Sequence, residues 1–283
     1  VYLPMSLLPL LGKDGEQKGK EPAEIDGRRL YIKRGRRFDR EEAWKQFIRI
    51  HTPYEERVTE AFRKTFRRLN RRIQERIPKD YEGIIKVGDY DYMLLSDEEF
   101  TEAFNETLRR VNVDLLRAGF ELEASRIGLA IAWNEHYEPI RRYINEMTFQ
   151  IAEVIAENTQ EDLRDIIRQA YNEGWDLRKL AREIREYFDW CDRVRSIRIA
   201  RTETTRALSH GQWTALIEGG AEKKEWISAL DERTRPAHFA ADGQVKYINE
   251  PFIVGGESLM YPGDPAGYPG NIVNCRCAIT YAE

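Results

Sequence analysis

The sequence predicts an α+β protein in which a mostly helical N-terminal region is followed by a long helix and a small, turn-rich β cap. Through most of the chain, apolar residues recur every three or four positions, which is the helical period. After Gly219 and Gly220 this period stops, and short strand-like segments alternate with Pro-Gly turns. The change of pattern predicts a long helix joined to a compact β-rich unit.

Composition limits the kinds of protein that this chain can be. The 283 residues are 33% charged, against roughly 25% in an average globular protein, which favours long solvated helices with a narrow apolar stripe. The net charge is only -4, so the chain lacks the basic excess of a protein that coats nucleic acid. Three cysteines indicate a reducing compartment more than a disulfide framework. The longest apolar run, residues 1–11, falls short of the roughly 20 residues that span a bilayer, so we expect no membrane contact.

Three segments follow from the patterns along the chain. Residues 1–38 mix glycine, proline and charge without a helical or strand period, so we predict an extended arm or linker. We expect a helical region over residues 39–158 and an α+β domain over residues 159–283. The first residue is Val1 and not methionine, which suggests a piece of a longer polypeptide or a processed product.

Start and stop signals divide the helical region. Asp39 is a typical N-cap, and a second helix is predicted to follow Pro53. That second helix is predicted to end at Pro78, and Ser96 with Glu99 forms a capping box for the next one. The apolar face of the helix after Pro53 consists of Val58, Phe62, Phe66, Leu69, Ile73 and Ile77.

The domain over residues 159–283 is predicted to begin with a helix–turn–helix arrangement that is interrupted at Gly174. Its second helix mixes acidic and basic residues, which is typical of a solvated face and not of one that reads DNA bases. A long helix from about Arg193 to Glu218 follows. Short strands are predicted at residues 225–229, 246–248 and 277–281.

A basic face flanks the apolar stripe of the helix after Pro53. Lys and Arg side chains on one face can bind DNA phosphates without reading the sequence, so DNA contact is one interpretation. In the alternative interpretation the face is solvated or meets an acidic segment such as residues 97–106. The basic residues are Arg63, Lys64, Arg67, Arg68, Arg71 and Arg72.

An ordered series of short motifs fills the last part of the chain. Each motif alone is common, but the order and number of the motifs make the set specific. In chain order they are an A-R-T-E-T box with Arg201, Thr202 and Glu203; Trp226; a D-x-R-T turn with Asp231, Arg233 and Thr234; His238; Asp242 and Gly243; and a terminal N-C-R-C with Asn274, Cys275, Arg276 and Cys277.

This ordered set resembles the Mu F-like domain of the phage head morphogenesis family, whose members are minor head proteins. The resemblance covers less than a third of the chain at motif strength, and the helices from residue 159 are consistent with it in pattern only. It implies a minor structural protein of a bacteriophage head, without enzymatic activity, that binds the portal protein and the major capsid or scaffold protein. It also implies a part in DNA packaging or ejection, and a place inside the virion head after assembly in the bacterial cytoplasm. Contact with packaged DNA would come from the basic face described above.

The N-terminal arm has a weaker similarity of its own. Residues 1–11 are apolar and contain two Leu-Pro pairs, which is similar to the ends of some phage portal proteins. The similarity implies that the arm is the tail of a portal protein fused to the head protein.

His238, Cys275 and Cys277 are candidate metal ligands. Thiolate and imidazole suit zinc, and a fourth ligand of a structural site would have to come from Asp231, Asp242 or Asp264. Members of the resembled family often have cysteines near the positions of Arg235 and His238, so one soft ligand is absent here. In the alternative interpretation the two thiols are small buried hydrophobic groups of a final strand. In both cases residues i and i+2 of a strand share a face, and Arg276 would point the other way, toward solvent or a carboxylate.

The turn residues are interpreted as structural. Asp231 can accept a hydrogen bond from its own backbone two residues on, and Arg233 can form a forked ion pair, for which Glu203 is the candidate partner. A nuclease-like or toxin-like metal enzyme is the main alternative, with His238, Asp242 and Glu203 as its acid–base group. A DNA-binding module is the second alternative. No nucleophile elbow or phosphate-binding glycine loop supports catalysis, so we expect no enzyme.

Overall fold

The computed structural model describes residues 39–78, 93–129, 132–229 and 231–283, and the backbone of residues 24–25 and 28–29. The described helices are α1 (Arg40–Arg76), α2 (Asp97–Ile127), α3 (Glu138–Arg142), α4 (Thr148–Glu173), α5 (Leu177–Trp190), α6 (Ser196–Glu218), α7 (Pro236–Ala240) and α8 (Pro269–Ile272). Two π-helical turns, Tyr143–Met147 and Cys191–Arg195, join α3 to α4 and α5 to α6. The described strands are β1 (Glu24–Ile25), β2 (Arg28–Arg29), β3 (Lys223–Ile227), β4 (Val245–Tyr247), β5 (Phe252–Val254), β6 (Glu257–Leu259) and β7 (Ala278–Ala282). The predicted α+β class, with a helical N-terminal region and a small β cap, is confirmed.

Only a small part of the predicted arm is described. Strands β1 and β2 pair antiparallel, with residue 24 opposite residue 29 and residue 25 opposite residue 28. The portal-like segment at residues 1–11 and the remainder of the arm lie outside the described residues.

Helix α1 is a single helix of 37 residues, and the predicted break at Pro53 is wrong. Pro53 is exposed, so the carbonyl that loses its helical hydrogen bond lies on the solvent side. On either side of it, Phe47 and Val58 are buried against the same core. Packing of one apolar face therefore holds the helix together across the proline.

Helix ends follow the predicted signals. The Asp39 side chain accepts hydrogen bonds from two amides of the first turn of α1, and the helix ends just before Pro78. Ser96 and Glu99 form the reciprocal capping box at the start of α2. Gly174 ends α4 in the left-handed conformation. These four boundaries are confirmed.

Helices α1, α2, α4, α5 and α6 surround one apolar core. The predicted stripe of α1 is buried along its whole length, and Phe66 lies edge-on to Phe104 of α2 at 5.5 Å between ring centroids. The same core extends to Ala278 of β7, so the helical region and the C-terminal part share it. Within the described residues, no helix combines the length and the apolar character that a bilayer span requires.

Helices α2 and α6 approach each other so closely that their backbones are in contact. A Cβ atom added to Gly119 would lie 2.1 Å from the Leu208 carbonyl oxygen. One added to Gly211 would lie 2.2 Å from the Leu116 carbonyl oxygen. Only glycine fits at either position. Residues 202–212 of α6 are all buried as a result, which makes α6 the central helix of the molecule. It follows α5 through a π-helical turn and spans Ser196–Glu218, within three residues of the predicted helix.

The cap, residues 221–283, contains a three-stranded antiparallel sheet in the order β4-β3-β7. These strands lie within two residues of the predicted ones. The hairpin of β5 and β6, which turns at Gly255 and Gly256, was expected only as a turn. Trp226 of β3 is fully buried in the second apolar core, between the sheet and α6.

Candidate metal centre

His238, Cys275 and Cys277 meet in the cap, as the sequence predicted. Their ligand atoms all lie within 4.8 Å of one another, and all three residues are buried. His238 Nδ1 is 3.3 Å from the Cys277 sulfur and 3.6 Å from the Cys275 sulfur. The cysteines lie in an extended segment just before β7, so Cys277, predicted as the first residue of that strand, precedes it by one residue.

The A-R-T-E-T box of α6 holds the segment that carries the cysteines. The Thr202 hydroxyl accepts a hydrogen bond from the Asn274 amide at 3.0 Å. One turn later, the Thr205 hydroxyl donates to the Cys275 carbonyl at 2.5 Å. Asn274 has a positive φ of 58°, which turns the chain into the N-C-R-C segment. The two threonines are buried, so they fix this turn from inside the protein.

His238 is held from the other side. Pro236 occupies the first turn of α7, where a missing amide hydrogen costs no helical bond. The Trp226 ring meets the His238 ring edge-on, at 5.9 Å between centroids. His238 Nε2 is buried without a hydrogen-bond partner in the described residues, whereas Nδ1 faces the thiols. The ring is therefore oriented by packing, with Nδ1 as the atom available to a metal.

Arg276 points away from the thiols and forms a forked ion pair with Asp231, at 2.5 and 2.9 Å. Asp231 also accepts a hydrogen bond from the Arg233 amide at 3.0 Å, which is the expected turn geometry. Burial raises the pKa of Asp231, but the hydrogen bonds and charge of Arg276 outweigh it and hold that pKa below its usual value. The Thr234 hydroxyl donates to the Ala229 carbonyl and closes the turn.

The predicted ion pair between Arg233 and Glu203 is wrong. The Arg233 side chain is 75% exposed and lies 3.7 Å from Asp231. Glu203 instead binds Arg206, one helical turn away, at 2.6 and 2.7 Å, and both side chains are buried. Arg206 also donates to the Gly263 carbonyl at 2.8 Å, so this pair joins α6 to the cap in the way expected of Arg233. Burial raises the pKa of Glu203 above its ordinary value.

The three aspartates proposed as a fourth ligand are engaged elsewhere. Asp231 is bound to Arg276. Asp242 accepts from the Ser228 amide at 2.8 Å and pairs with Arg40 of α1 at 2.7 Å. Asp264 accepts from two backbone amides of its own loop. In the described residues, the metal-ligand group therefore has three members.

The same contacts bear on the acid–base group considered for an enzyme. Glu203 is bound to Arg206, and Asp242 to Ser228 and Arg40. Neither is part of the cluster around His238. The neighbouring Gly243 amide donates to the Trp226 carbonyl at 2.9 Å, so Asp242 and Gly243 both bind the backbone at the end of β3.

The two thiols differ in their tendency to ionise. A hydrogen bond with Cys277 holds the pKa of the Cys275 thiol well below its ordinary value, and His238 adds to the effect. Burial raises the pKa of the Cys277 thiol, and its partner Cys275 raises it further. Cys275 is therefore the thiol of the pair that ionises first.

A cavity of about 220 Å³ opens in front of the three ligands. Its wall combines the ligands with small and basic residues of the D-x-R-T turn, the A-R-T-E-T box and the N-C-R-C segment. Sequence reasoning did not assign Arg235 to this site, and it missed Thr205, because neither residue type signals a role outside its motif. The lining residues are Arg201, Ala229, Arg233, Thr234, Arg235, His238, Asn274, Cys275, Arg276 and Cys277.

Most side chains on the basic face of α1 form ion pairs or hydrogen bonds with other residues of the chain. Arg68 pairs with Glu106 at 3.2 Å, and Arg72 pairs with Glu99, so the face meets the acidic start of α2 as the alternative interpretation described. Arg63 donates to the backbone carbonyl, and Arg67 to the carboxylate, of Asp192 in the second π-helical turn. Lys64 and Arg71 are exposed and have no partner among the described residues.

The helical body, which comprises α1 to α6, is joined to the β cap by buried threonines of α6, and the thiol–imidazole cluster lies in the cap. Residues 161–280 match the model of the family described as Phage Mu protein F like protein. The C-terminal part of this chain is therefore similar to the Mu F-like family, and the resemblance drawn from its motifs is confirmed. The match contains every residue of the candidate metal centre.

Three curated proteins are similar to parts of the chain. Uncharacterized protein YqbB of Bacillus subtilis (strain 168) is 27% identical over 49% of this chain and 47% of its own length. NAD(+)--arginine ADP-ribosyltransferase EFV of Enterococcus faecalis is 34% identical over 37% of this chain and 22% of its own length. An uncharacterized protein of Haemophilus influenzae is 26% identical over 49% of this chain and 29% of its own length. The chain thus spans less than half the length of these relatives, and no solved structure matches it.

Proposed function

We propose that this protein is a minor structural component of a bacteriophage head that acts in head morphogenesis. The match of residues 161–280 to the Mu F-like family carries the proposal. The motif residues support it, because they bind one another and the backbone: Thr202 binds Asn274, Arg276 binds Asp231, and Glu203 binds Arg206. In this role the protein binds the portal protein and the major capsid or scaffold protein inside the assembling head, and takes part in DNA packaging or ejection.

The transferase activity named for the Enterococcus relative is not carried over to this chain. The similar segment is only 22% of that protein's length. In this chain, Glu203 and Asp242 are already bound to basic groups, and the cluster around His238 is buried. These contacts favour a structural role over an acid–base role.

The proposal is tested in the phage that encodes this chain. A stop codon early in the gene should reduce the yield of DNA-filled heads seen by electron microscopy, and a plasmid copy should restore it. Mass spectrometry of purified virions should detect the protein, and the portal protein should be recovered with it from head precursors. Normal yields without the protein, together with its absence from virions, would overturn the proposal.

We also propose that His238, Cys275 and Cys277 bind zinc. Two thiolates and an imidazole are ligands that zinc prefers. In a tetrahedral zinc site the ligand atoms lie about 3.6 Å apart, given the usual Zn–S and Zn–N bond lengths. The His238 nitrogen lies 3.3 and 3.6 Å from the two sulfurs, which fits that spacing. Zinc would link α7 to the segment before β7 and so close the cap.

Metal analysis with a matched cysteine control tests the zinc proposal. The protein purified without chelator should contain about one zinc per chain, and removal of zinc should lower its Tm, because metal-binding free energy adds to the free energy of unfolding. Cys275→Ser should lose the zinc. Cys191→Ser should keep it, because Cys191 is buried in the π-helical turn before α6 and is not part of the cluster. Equal zinc contents in the two variants would contradict the assignment.

A further inference from the structure

The cavity in front of the metal ligands is basic. Among the described residues, its lining contains no carboxylate and four arginines: Arg201, Arg233, Arg235 and Arg276. Its volume of about 220 Å³ accommodates a group such as a carboxylate or a phosphate together with water. Because the three ligands form part of the same wall, a group that enters the cavity comes next to them.

The arginines of the cavity are only partly neutralised. Arg201 pairs with Glu55 at 2.7 Å, and Arg276 pairs with Asp231 at 2.5 Å. In the part of the chain that the structure describes, Arg235 donates to two backbone carbonyls, those of Asn271 and Val273, and pairs with no carboxylate. The fourth, Arg233, is mostly exposed and has only a distant contact with Asp231, which Arg276 already occupies. Four guanidinium groups against two carboxylates leave an excess of two positive charges at the cavity.

The metal would leave this positive excess unchanged. A zinc ion bound by two thiolates and a neutral imidazole has no net charge and lacks one of its usual four ligands. The three aspartates that were candidates for that position bind Arg276, Arg40 or backbone amides. A neutral metal complex with an open position, surrounded by excess positive charge, favours an anion over water as its fourth ligand.

We infer that the cavity is an oxyanion site and that the bound oxyanion supplies the fourth ligand of the metal. This inference rests on the zinc centre proposed above. The ligand chemistry is a carboxylate or a phosphate, because guanidinium groups form paired hydrogen bonds with both and zinc accepts an oxygen of either. The site then lets an acidic group of a binding partner, or a phosphate, complete a centre that the chain leaves with three ligands.

Cobalt spectroscopy of the full chain tests the inference, because the visible absorption of thiolate-bound Co²⁺ responds to a change of the fourth ligand. Titration of the Co²⁺-loaded protein with acetate and with inorganic phosphate should shift the visible bands in a saturable way. The anion that saturates at the lower concentration identifies the carboxylate or the phosphate as the preferred ligand. Arg235→Gln should weaken that binding about tenfold or more, and Arg233→Gln, at an exposed position that tolerates substitution, should weaken it several-fold.

Arg117→Gln is the matched control, because Arg117 is an exposed arginine of α2 whose ion pair with Glu121 is outside the cavity. It should bind the anion as the unchanged protein does. If the unchanged protein takes up no metal, the zinc centre and the oxyanion site both fail. If it takes up metal but neither anion shifts the bands, or if the Arg233 and Arg235 variants respond like the Arg117 variant, the oxyanion site fails and the zinc centre stands.

Discussion

The helical body differs from the seam, where α2 and α6 meet the cap, in how deeply its charged side chains are buried. In the body, aromatic and aliphatic side chains fill the core, and ion pairs such as Arg68–Glu106 lie outside it, 47% and 38% exposed. At the seam, the side chains of Glu203 and Arg206 are only 5% and 7% exposed. The stability of the body therefore depends mainly on the packing of apolar side chains, whereas that of the seam depends on the pairing of buried charges.

Glu123 shows what the seam requires of a buried charge. It is fully buried on α2, where its carboxylate accepts hydrogen bonds from Arg126 at 2.6 Å and from the Thr280 hydroxyl at 3.0 Å. The Tyr281 amide and the Gln212 side chain add two more, at 2.9 and 3.3 Å. A buried carboxylate is stable only when its oxygens are satisfied in this way. Thr280 and Tyr281 provide two of these hydrogen bonds, so we expect the Glu123 carboxylate to favour the observed position of β7 against α2.

The largest expected effect separates the two regions directly. Glu203→Gln leaves the buried Arg206 guanidinium without a countercharge, so the free energy of unfolding should fall by about 3–5 kcal/mol. Glu121→Gln removes the carboxylate of an exposed pair on α2 and should cost less than about 0.5 kcal/mol. Urea denaturation of both variants measures the difference. Similar losses in the two would mean that the Glu203 pair is not buried.

A double-mutant cycle sharpens this test. Glu203→Gln and Arg206→Met should each be costly alone, and the double variant should lose less than the sum, because neither charge is then left unpaired. Additive losses would show that the two side chains do not interact. Arg233→Ala should leave stability nearly unchanged, since its side chain is 75% exposed.

A steric effect of about 3 kcal/mol is expected in the body, at the upper end of ordinary overpacking. Gly119→Ala would place its new methyl group 2.1 Å from the Leu208 carbonyl oxygen, so α2 and α6 would have to separate. The loss should be the same at every pH, since no charge is involved. Gly270→Ala is the control, because nothing lies within 4 Å of a Cβ atom there. Thermal melts decide, and the close helix contact is wrong if both variants melt like the unchanged protein.

A smaller effect should appear with acid. The pKa of His51 and that of His210 are both lowered to about 4, by burial in each case and, for His51, also by the charge of nearby Arg201. Both are near 6.5 in the unfolded chain, which therefore takes up protons first, and stability is lost as the pH falls from about 6.5 toward 4. The loss should be about 1–2 kcal/mol per histidine by pH 5.

Variants at the histidines check the acid effect. Urea denaturation between pH 7 and pH 5 should show a flatter pH dependence for His51→Gln and for His210→Gln than for the unchanged protein. His136→Gln should keep the original slope, because His136 is exposed. If all three variants keep that slope, other groups cause the acid sensitivity.

The helices were predictable because their signals are local. The spacing of Phe62, Phe66 and Leu69 and the capping pair of Ser96 and Glu99 each act within one or two turns. The break at Pro53 was predicted wrongly for the same reason, since the packing that overrides the proline comes from helices far away in the sequence. The β5–β6 hairpin was missed because three-residue strands give too short a pattern to count.

The sequence predicted which residues form the site better than it predicted which side chains pair with each other. Residue type alone favoured grouping His238 with the two cysteines, and the structure places them together. The partner of Glu203 could not be read in this way, because several arginines were available and sequence order contains no distances. Glu203 pairs with Arg206 because Arg206 lies one turn away on the same helix.

The contacts of Glu123 also set an order of events during synthesis. Its carboxylate binds Thr280, 157 residues later, and the Trp44 indole binds the Arg276 carbonyl, 232 residues later. Closing such long segments is entropically costly, so these contacts should form after the local helical ones. While the ribosome is still completing the chain, α2 has a carboxylate without its final partners. We therefore expect the Glu123 carboxylate and the Trp44 indole to reach their final partners only when the last residues of the chain have left the ribosome, after the helices that surround them have formed.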